Sequence, residues 1–246
     1  MIFMISEERV KVIKNWIINY VDEMPNKAQV LVVGVSGGID SAVVSTISAM
    51  TGLKTIVLSM PIKQIKNQDD LSKLHCNWLI KSFKNIEYSN IDLDNVFSNF
   101  ESALGIFNNE HAFANSRARL RMTTLYQVAG SNNGIVVGTG NKVEDFGVGF
   151  YTKYGDGGVD ISPIADCTKT QIWDMGKCLN IDSKIIEAPP TDGLWTDGRN
   201  DEDQLGMSYQ ELEEAMANSN SKNYEKYLKI RENNLHKMRN IPVCKF

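Results

Sequence analysis

The 246-residue chain is 42% hydrophobic, carries a formal net charge of −4 and contains four cysteines; one sizeable α/β core suits that length better than two independent ones, so residues 1–246 are read as a single domain. The acid excess argues against a broad nucleic-acid footprint, which surplus Lys and Arg would have to build. Cys76, Cys167, Cys178 and Cys244 lack any Cys-x-x-Cys spacing and read as reduced thiols of a cytoplasmic protein, while the few apolar residues before Glu7 and the lack of a long uncharged apolar run predict neither secretion nor a membrane span.

Ser6 to Met24 reads as a helix, with Val10, Ile13, Ile17, Tyr20 and Met24 three and four apart and Pro25 ending it. Val12, Trp16 and Ile18 widen its apolar surface. Two explanations stay open: a helix sunk in its own core, or one shared with a second subunit.

Next comes an apolar β-branched run, Leu31 to Val35, that stops at Ser36-Gly37-Gly38-Ile39-Asp40-Ser41 before Ala42-Val43-Val44 begins a helix. Paired glycines let the backbone turn its N–H groups toward one point, and a helix start adds unpaired donors and a positive dipole end; the stretch predicts a phosphate cradle. The Lys of the common P-loop is missing and Asp40 stands near its place. An acid beside phosphates needs a cation between them, so Asp40 reads as a Mg²⁺ ligand, the plainer alternative being Asp40 or Ser41 capping the helix.

Lys54 to Met60 predicts a second strand closed by Pro61, Asp69 to Phe83 a second amphipathic helix, and Asn85 to Leu93 a third strand. Asp92 and Asp94 at its end either face a ligand or form a turn. Alternating strands and helices imply a parallel sheet covered on both faces, with ligands at the carboxyl ends of the strands. Asn115 to Ala129 reads as a helix on which Arg117 and Arg121 share a face while Arg119 points elsewhere. Gly134 to Asn141 predicts a fourth strand leaving into a loop that bears Thr139 and, five residues on, Glu144. Two carboxylates from separate strands, Asp40 and Glu144, are a donor set that suits Mg²⁺ when phosphates fill its other positions.

Phe150 to Asp160 holds Gly155, Gly157 and Gly158 between Lys153 and Asp160, and reads as a loop that closes over something. Thr168-Lys169-Thr170-Gln171 has the signature of a helix start, putting Lys169 in a first turn where the dipole disfavours a cation unless an anion is bound. Residues 188–206 read as a lid or a disordered stretch, with Ser208 to Glu211 opening a further helix. Asn223 to Met238 forms the last helix, bearing His236 and Lys237 where cations are favourable anyway.

Ser36 to Ser41 resembles the pyrophosphate loop of the ATP pyrophosphatases, which cleave ATP between its α- and β-phosphates. The ordered set Gly34 to Ser41, Asn115-Ser-Arg-Ala-Arg-Leu-Arg-Met122, Gly138-Thr-Gly-Asn-Lys-Val-Glu144, Thr152-Lys-Tyr-Gly-Asp-Gly-Gly-Val-Asp160, Thr168-Lys169, Pro189-Pro-Thr191 and His236-Lys237 is similar to the ammonia-dependent NAD synthetases from Gly34 to Pro242. That resemblance implies a cytoplasmic homodimer of Rossmann-like α/β subunits of the adenine nucleotide alpha hydrolase-like class, with the first helix at the dimer interface. It implies ligation of ammonia to nicotinic acid adenine dinucleotide (deamido-NAD), with ATP giving AMP and pyrophosphate through an acyl-adenylate. ATP would lie on Gly34, Val35, Ser36, Gly37, Gly38, Ile39, Asp40, Ser41, Thr139, Lys169 and Thr191, and Mg²⁺ on Asp40 and Glu144. The dinucleotide would meet Arg119, Lys153, Asp160, His236 and Lys237. Asp40 and Lys169 are then the catalytic charges; from its own place beside the glycine loop, and not from the resemblance, Asp160 reads as a group that helps deprotonate ammonium. The stretch before the first core strand is too short for a glutaminase domain, so free ammonia, or ammonia from a separate protein, is the implied nitrogen source. Two other readings compete: a tRNA-modifying relative with the same loop, and a nucleotide-binding module without catalysis.

Overall fold

The computed structural model describes residues 4–64, 66–195 and 199–246. Strand β1 (Val30–Gly34) is apolar on both sides: Leu31 and Val33 belong to one core cluster, Val30 and Val32 to another. Such a strand has to be covered on both faces, which fixes a central position in a parallel sheet. Its neighbours are β2 (Thr55–Ser59) and β4 (Gly134–Val136), with Val32 opposite Ile56 and Val136. Outside β2 lies β3 (Ile86–Asn90), so the sheet formed by the described residues is parallel in the order β3-β2-β1-β4.

One face of the sheet packs on α1 (Ser6–Glu23), α2 (Ile39–Met50), α6 (Lys169–Cys178) and the short α7 (Ser183–Ile186), joined at one side by α3 (Lys66–Ser82). The other face meets α4 (Asp94–Ala103) and α5 (Glu110–Ser131) through Phe97, Met122 and Leu125. A smaller cluster around Val148, Leu205, Tyr209 and Leu212 ties α8 (Asp201–Leu205), α9 (Tyr209–Ala217) and α10 (Tyr224–Met238) to a π-helical turn at Lys142–Val148. The fold is the expected Rossmann-like α/β arrangement.

Several elements differ from expectation for local reasons. On α1 the buried stripe is Val10, Ile13, Ile17 and Val21, and Tyr20 turns outward with Val12 and Trp16. Asn109 caps α5 by accepting from Ala112 N, which starts that helix five residues before Asn115. Asp92 serves a turn, accepting from Asp94 N at 2.9 Å, whereas Asp94 ties the start of α4 to the loop after β2 by accepting from Lys63 N at 2.5 Å. α4 lies outside the sequence expectation although Val96, Phe97 and Phe100 keep helical spacing, whereas the π-helical turn and α8 are too short to show a period.

Candidate active site

The strand order reverses between β1 and β4, and in a parallel sheet that point opens a crevice at the carboxyl ends of the strands. A cleft of about 430 Å³ lies there, within the size range of small-ligand sites. The loop after β1 forms its floor. Val35 N donates to Leu58 O at 2.8 Å, and Ser72 Oγ on α3 donates to Val35 O at 2.6 Å. Gly37 has φ +91°, and a Cβ there would stand 2.6 Å from Gln68 O and 2.9 Å from Ser72 N. Close approach of α3 and a left-handed backbone therefore both demand glycine. Gly38 does not share the second requirement: its φ is −85° and it stands at the N-cap of α2. Ser41 accepts from Ser36 N at 3.2 Å and donates to Gly38 O at 2.9 Å, pinning the loop to the helix start. Neither Asp40 nor Ser41 caps α2. Its first-turn N–H groups lack intrahelical partners, and Ile39, Asp40 and Ser41 line the cleft.

Above that floor three charged side chains from three elements converge. Lys169 Nζ is 2.5 Å from Asp40 Oδ2 and 3.0 Å from Glu144 Oε1, with the lysine side chain 3% exposed. The capping box of Thr168 and Gln171 starts α6 at Lys169. The two carboxylates provide the anions that a first-turn cation requires. Burial lifts the Asp40 carboxyl above its ordinary range, with Glu144 adding to the rise and Lys169 opposing it. Burial alone would lower the pKa of Lys169, but Asp40 and Glu144 outweigh it and raise the value, so the ammonium form is held. Removing one member of such a buried set leaves an uncompensated charge and costs about 3–5 kcal/mol.

Asn141 sets the spacing of the two acids. Wholly buried, it donates from Nδ2 to Asp40 Oδ1 at 3.1 Å and accepts from Val143 N and Glu144 N, capping the π-helical turn. Gly140 leaves room for Asp145, whose carboxylate would lie within 2.5 Å of any Cβ there. Tyr209 donates from its hydroxyl to Glu144 Oε1 at 2.6 Å, and Asp201 Oδ2 is 3.1 Å from the same hydroxyl. Burial, reinforced by Glu144, pushes Asp201 up to about 7. Asn141, Tyr209 and Asp201 escaped the sequence reading because a buried amide, a core tyrosine and a first-turn acid look ordinary along the chain. A capping Asn three residues before Glu144 was the one usable signal.

The expected nucleotide set gathers in the cleft: Gly34, Val35, Ser36, Gly38, Ile39, Asp40, Ser41, Thr139, Lys169 and Thr191 line it, with Gly37 behind the loop against α3. The expected dinucleotide set does not gather in the same way. Lys237 lines the cleft, donates to Tyr151 O at 2.8 Å and sits 5.2 Å over the Tyr151 ring, its pKa lowered by burial. Arg119 and His236 are exposed and Lys153 half-buried, all outside the cleft lining; Arg119 Nε donates to Lys153 O at 3.2 Å, and Lys153 Nζ lies 5.5 Å over the Tyr154 ring. Asp160 is engaged away from the cleft. Outside the lining, it accepts from Tyr126 OH at 3.0 Å and from Val136 N at 2.7 Å, tying the end of β4 to α5, and this geometry gives no support to a role as base for ammonium. On α5, Arg121 rather than Arg119 reaches the cleft, donating to Met60 O at 3.0 Å and Gln64 Oε1 at 3.2 Å.

The segment expected as a lid folds back on itself where it is described: Trp195 Nε1 donates to Gln204 Oε1 at 2.9 Å and Gln204 to Asp192 at 3.1 Å. Residues 196–198, the middle of that expected lid, lie outside the described residues. Among the described residues no three His, Cys, Asp or Glu side chains form a metal cage. Asp40 and Glu144 nonetheless fit a cation, since both reach the single ammonium of Lys169, and a two-carboxylate set completed by phosphate oxygens suits Mg²⁺.

Fold and cleft together define a nucleotide-binding α/β protein of the pyrophosphate-loop class. The profile of the NAD synthase family matches residues 9–243, and the chain belongs to that family. It is 36% identical to the NH3-dependent NAD(+) synthetase of Carboxydothermus hydrogenoformans, over 84% of each chain. Among solved structures it is similar to the NMN synthetase of Francisella tularensis, at TM-score 0.90 and 32% identity over 99% of this chain and 100% of that one. The NH3-dependent NAD synthetase of Campylobacter jejuni superposes with TM-score 0.78 at 25% identity, over 98% and 100%.

Proposed function

We propose that this chain is a ligase that amidates the pyridine carboxylate of nicotinic acid adenine dinucleotide with ammonia, giving NAD, AMP and pyrophosphate. The observation that carries the reading is the meeting of Asp40, Glu144 and Lys169 in the cleft that the first turn of α2 also lines. A carboxylate is a poor electrophile, so its oxygen must first become a leaving group. The substrate carboxylate attacks the α-phosphorus of ATP, the bond to the β-phosphate oxygen breaks, and pyrophosphate departs onto the loop amides while Lys169 offsets its charge. Ammonia then adds to the acyl-adenylate carbonyl, and AMP leaves with the former carboxylate oxygen. Asp40 and Glu144 would hold Mg²⁺, which when bound supplies charge stabilisation to the phosphates. Closure of the segment around Trp195 would slow hydrolysis of the adenylate.

Thr139 and Thr191 belong to the nucleotide side of this scheme, and Lys237, Arg119, Lys153 and His236 to the side that takes the dinucleotide acid. The outward stripe of Val12, Trp16 and Tyr20 on α1 supports a homodimer of one-domain subunits, which analytical ultracentrifugation would register. A cytoplasmic setting agrees with the unpaired cysteines, and no described helix is long and apolar enough to cross a membrane.

A second reading rests on the likeness to the Francisella tularensis NMN synthetase: the same amidation on the mononucleotide acid would give NMN. One assay tests both. Enzyme, ATP, Mg²⁺ and ammonium are incubated with each acid in turn, with NAD followed through an alcohol dehydrogenase and NMN by chromatography. NAD formation with release of AMP is the expected result. Turnover of the mononucleotide acid at ten times or more the efficiency would transfer the assignment to the second reading, and no pyrophosphate release with either acid would reject catalysis altogether.

A further inference from the structure

We propose that Tyr209 is a positioning residue for Glu144 and that Asp201 completes it, so that the chain following Pro190 is hydrogen-bonded into the carboxylate pair. The proposal rests on the reading of Asp40 and Glu144 as the metal-binding pair. Tyr209 opens α9 and is entirely buried, its ring edge-on to Trp173 at 6.1 Å and under Lys169 Nζ at 4.8 Å. Its hydroxyl donates to the same Glu144 oxygen, Oε1, that Lys169 binds. Two donors from two helices on one oxygen fix the rotation of the carboxylate, leaving Oε2, which accepts no hydrogen bond among the described residues, for a cation. Partners of this kind, one step removed from a metal, change affinity or activity by about 10–100-fold when lost.

Asp201 supplies the other half. It is 5% exposed, begins α8, and its backbone N donates to Pro190 O at 3.0 Å. Its Oδ2 is 3.1 Å from the Tyr209 hydroxyl, while Oδ1 is buried without a partner, an arrangement that native structures rarely tolerate without a use. A phenol has one proton to give, and the shorter contact assigns it to Glu144. Asp201 then acts toward the phenol oxygen as a donor. The segment that carries Thr191 is thereby coupled to the orientation of Glu144.

Tyr209→Phe keeps the ring against Trp173 and Lys169 and removes only the hydroxyl. Calorimetric titration of ATP, with Mn²⁺ and separately in EDTA, is expected to show about a tenfold loss of affinity for the variant with metal and less than twofold without it. Turnover should fall 10–100-fold with KM for the acid substrate unchanged. Asp201→Ala should behave alike, and Asp201→Asn, whose amide still donates to the phenol oxygen, should recover at least fivefold; that pair carries the same test if Tyr209→Phe folds poorly. In a Glu144→Gln background, Tyr209→Phe should add less than twofold. Equal losses with and without metal, or a full additive loss on Glu144→Gln, would reduce Tyr209 to packing and overturn the proposal. If Glu144→Gln alone leaves the Mn²⁺ dependence untouched, the metal reading fails first and takes this proposal with it.

Discussion

The floor of the cleft and its rim are built on different principles. The floor is local: Gly34 to Ser41 runs strand, turn and helix start without interruption, and its N–H donors follow from backbone geometry. The rim is assembled from afar, with Glu144, Lys169, Asp201 and Lys237 arriving on four separate elements. A local site tolerates change outside itself but not within. An assembled one depends on contacts, such as Asn141 on Asp40, that touch no ligand.

The largest expected effect tests where floor and rim meet. Asp40→Asn should lose more than a hundredfold in turnover, measured as pyrophosphate release, with the thermal midpoint checked in parallel; near-normal activity would remove Asp40 from the metal. Gly37→Ala follows, because a Cβ there collides with the backbone of α3. ATP affinity should fall by tens of fold while the acid substrate's KM holds, and a silent variant would mean that the loop need not keep its φ of +91°. On the rim, Lys237→Ala should raise KM for the acid about tenfold and leave that for ATP alone. The reverse pattern would exchange the two halves of the cleft.

The smallest effect concerns the support behind the floor. His75 on α3 is 2% exposed, its Nε2 is 3.0 Å from Ser45 Oγ on α2, and burial depresses its pKa from about 6.5 to about 4. As pH falls below 6.5 the unfolded chain takes up the proton first. The contribution is complete above that pH and is lost progressively down to about 4, with about 1 kcal/mol gone between pH 6.5 and 5.5. Urea unfolding across that window should show the slope in the wild type and a flatter one in His75→Gln; equal slopes would show that folding leaves the His75 pKa where it is in the unfolded chain.

Legibility divides along the same line. Leu31 to Ser41 was readable because an apolar run, a Gly-Gly turn and a helix start are all sequence-local, and Thr168 to Gln171 was readable because a capping box is four residues long. Arg117 and Arg121 were rightly placed on one face of α5 by helical spacing, but that one lies over the Phe97 ring while the other reaches the cleft depends on what packs against each. Asp160 looked catalytic from its place beside a glycine loop. In the fold it fastens β4 to α5.

From the sequence alone came the alternation of strands and helices, the nucleotide loop, and the acids and the lysine suited to a phosphate-bound cation. These follow from backbone periodicity and from which residue types a short segment needs. Only the tertiary structure decided that Lys169 lies between Asp40 and Glu144, that Asn141 and Tyr209 hold those acids, and that Arg119, Lys153 and His236 stand outside the cleft. Such facts are sums of many weak contacts between residues far apart in the chain, and no local pattern encodes a distance across a folded core.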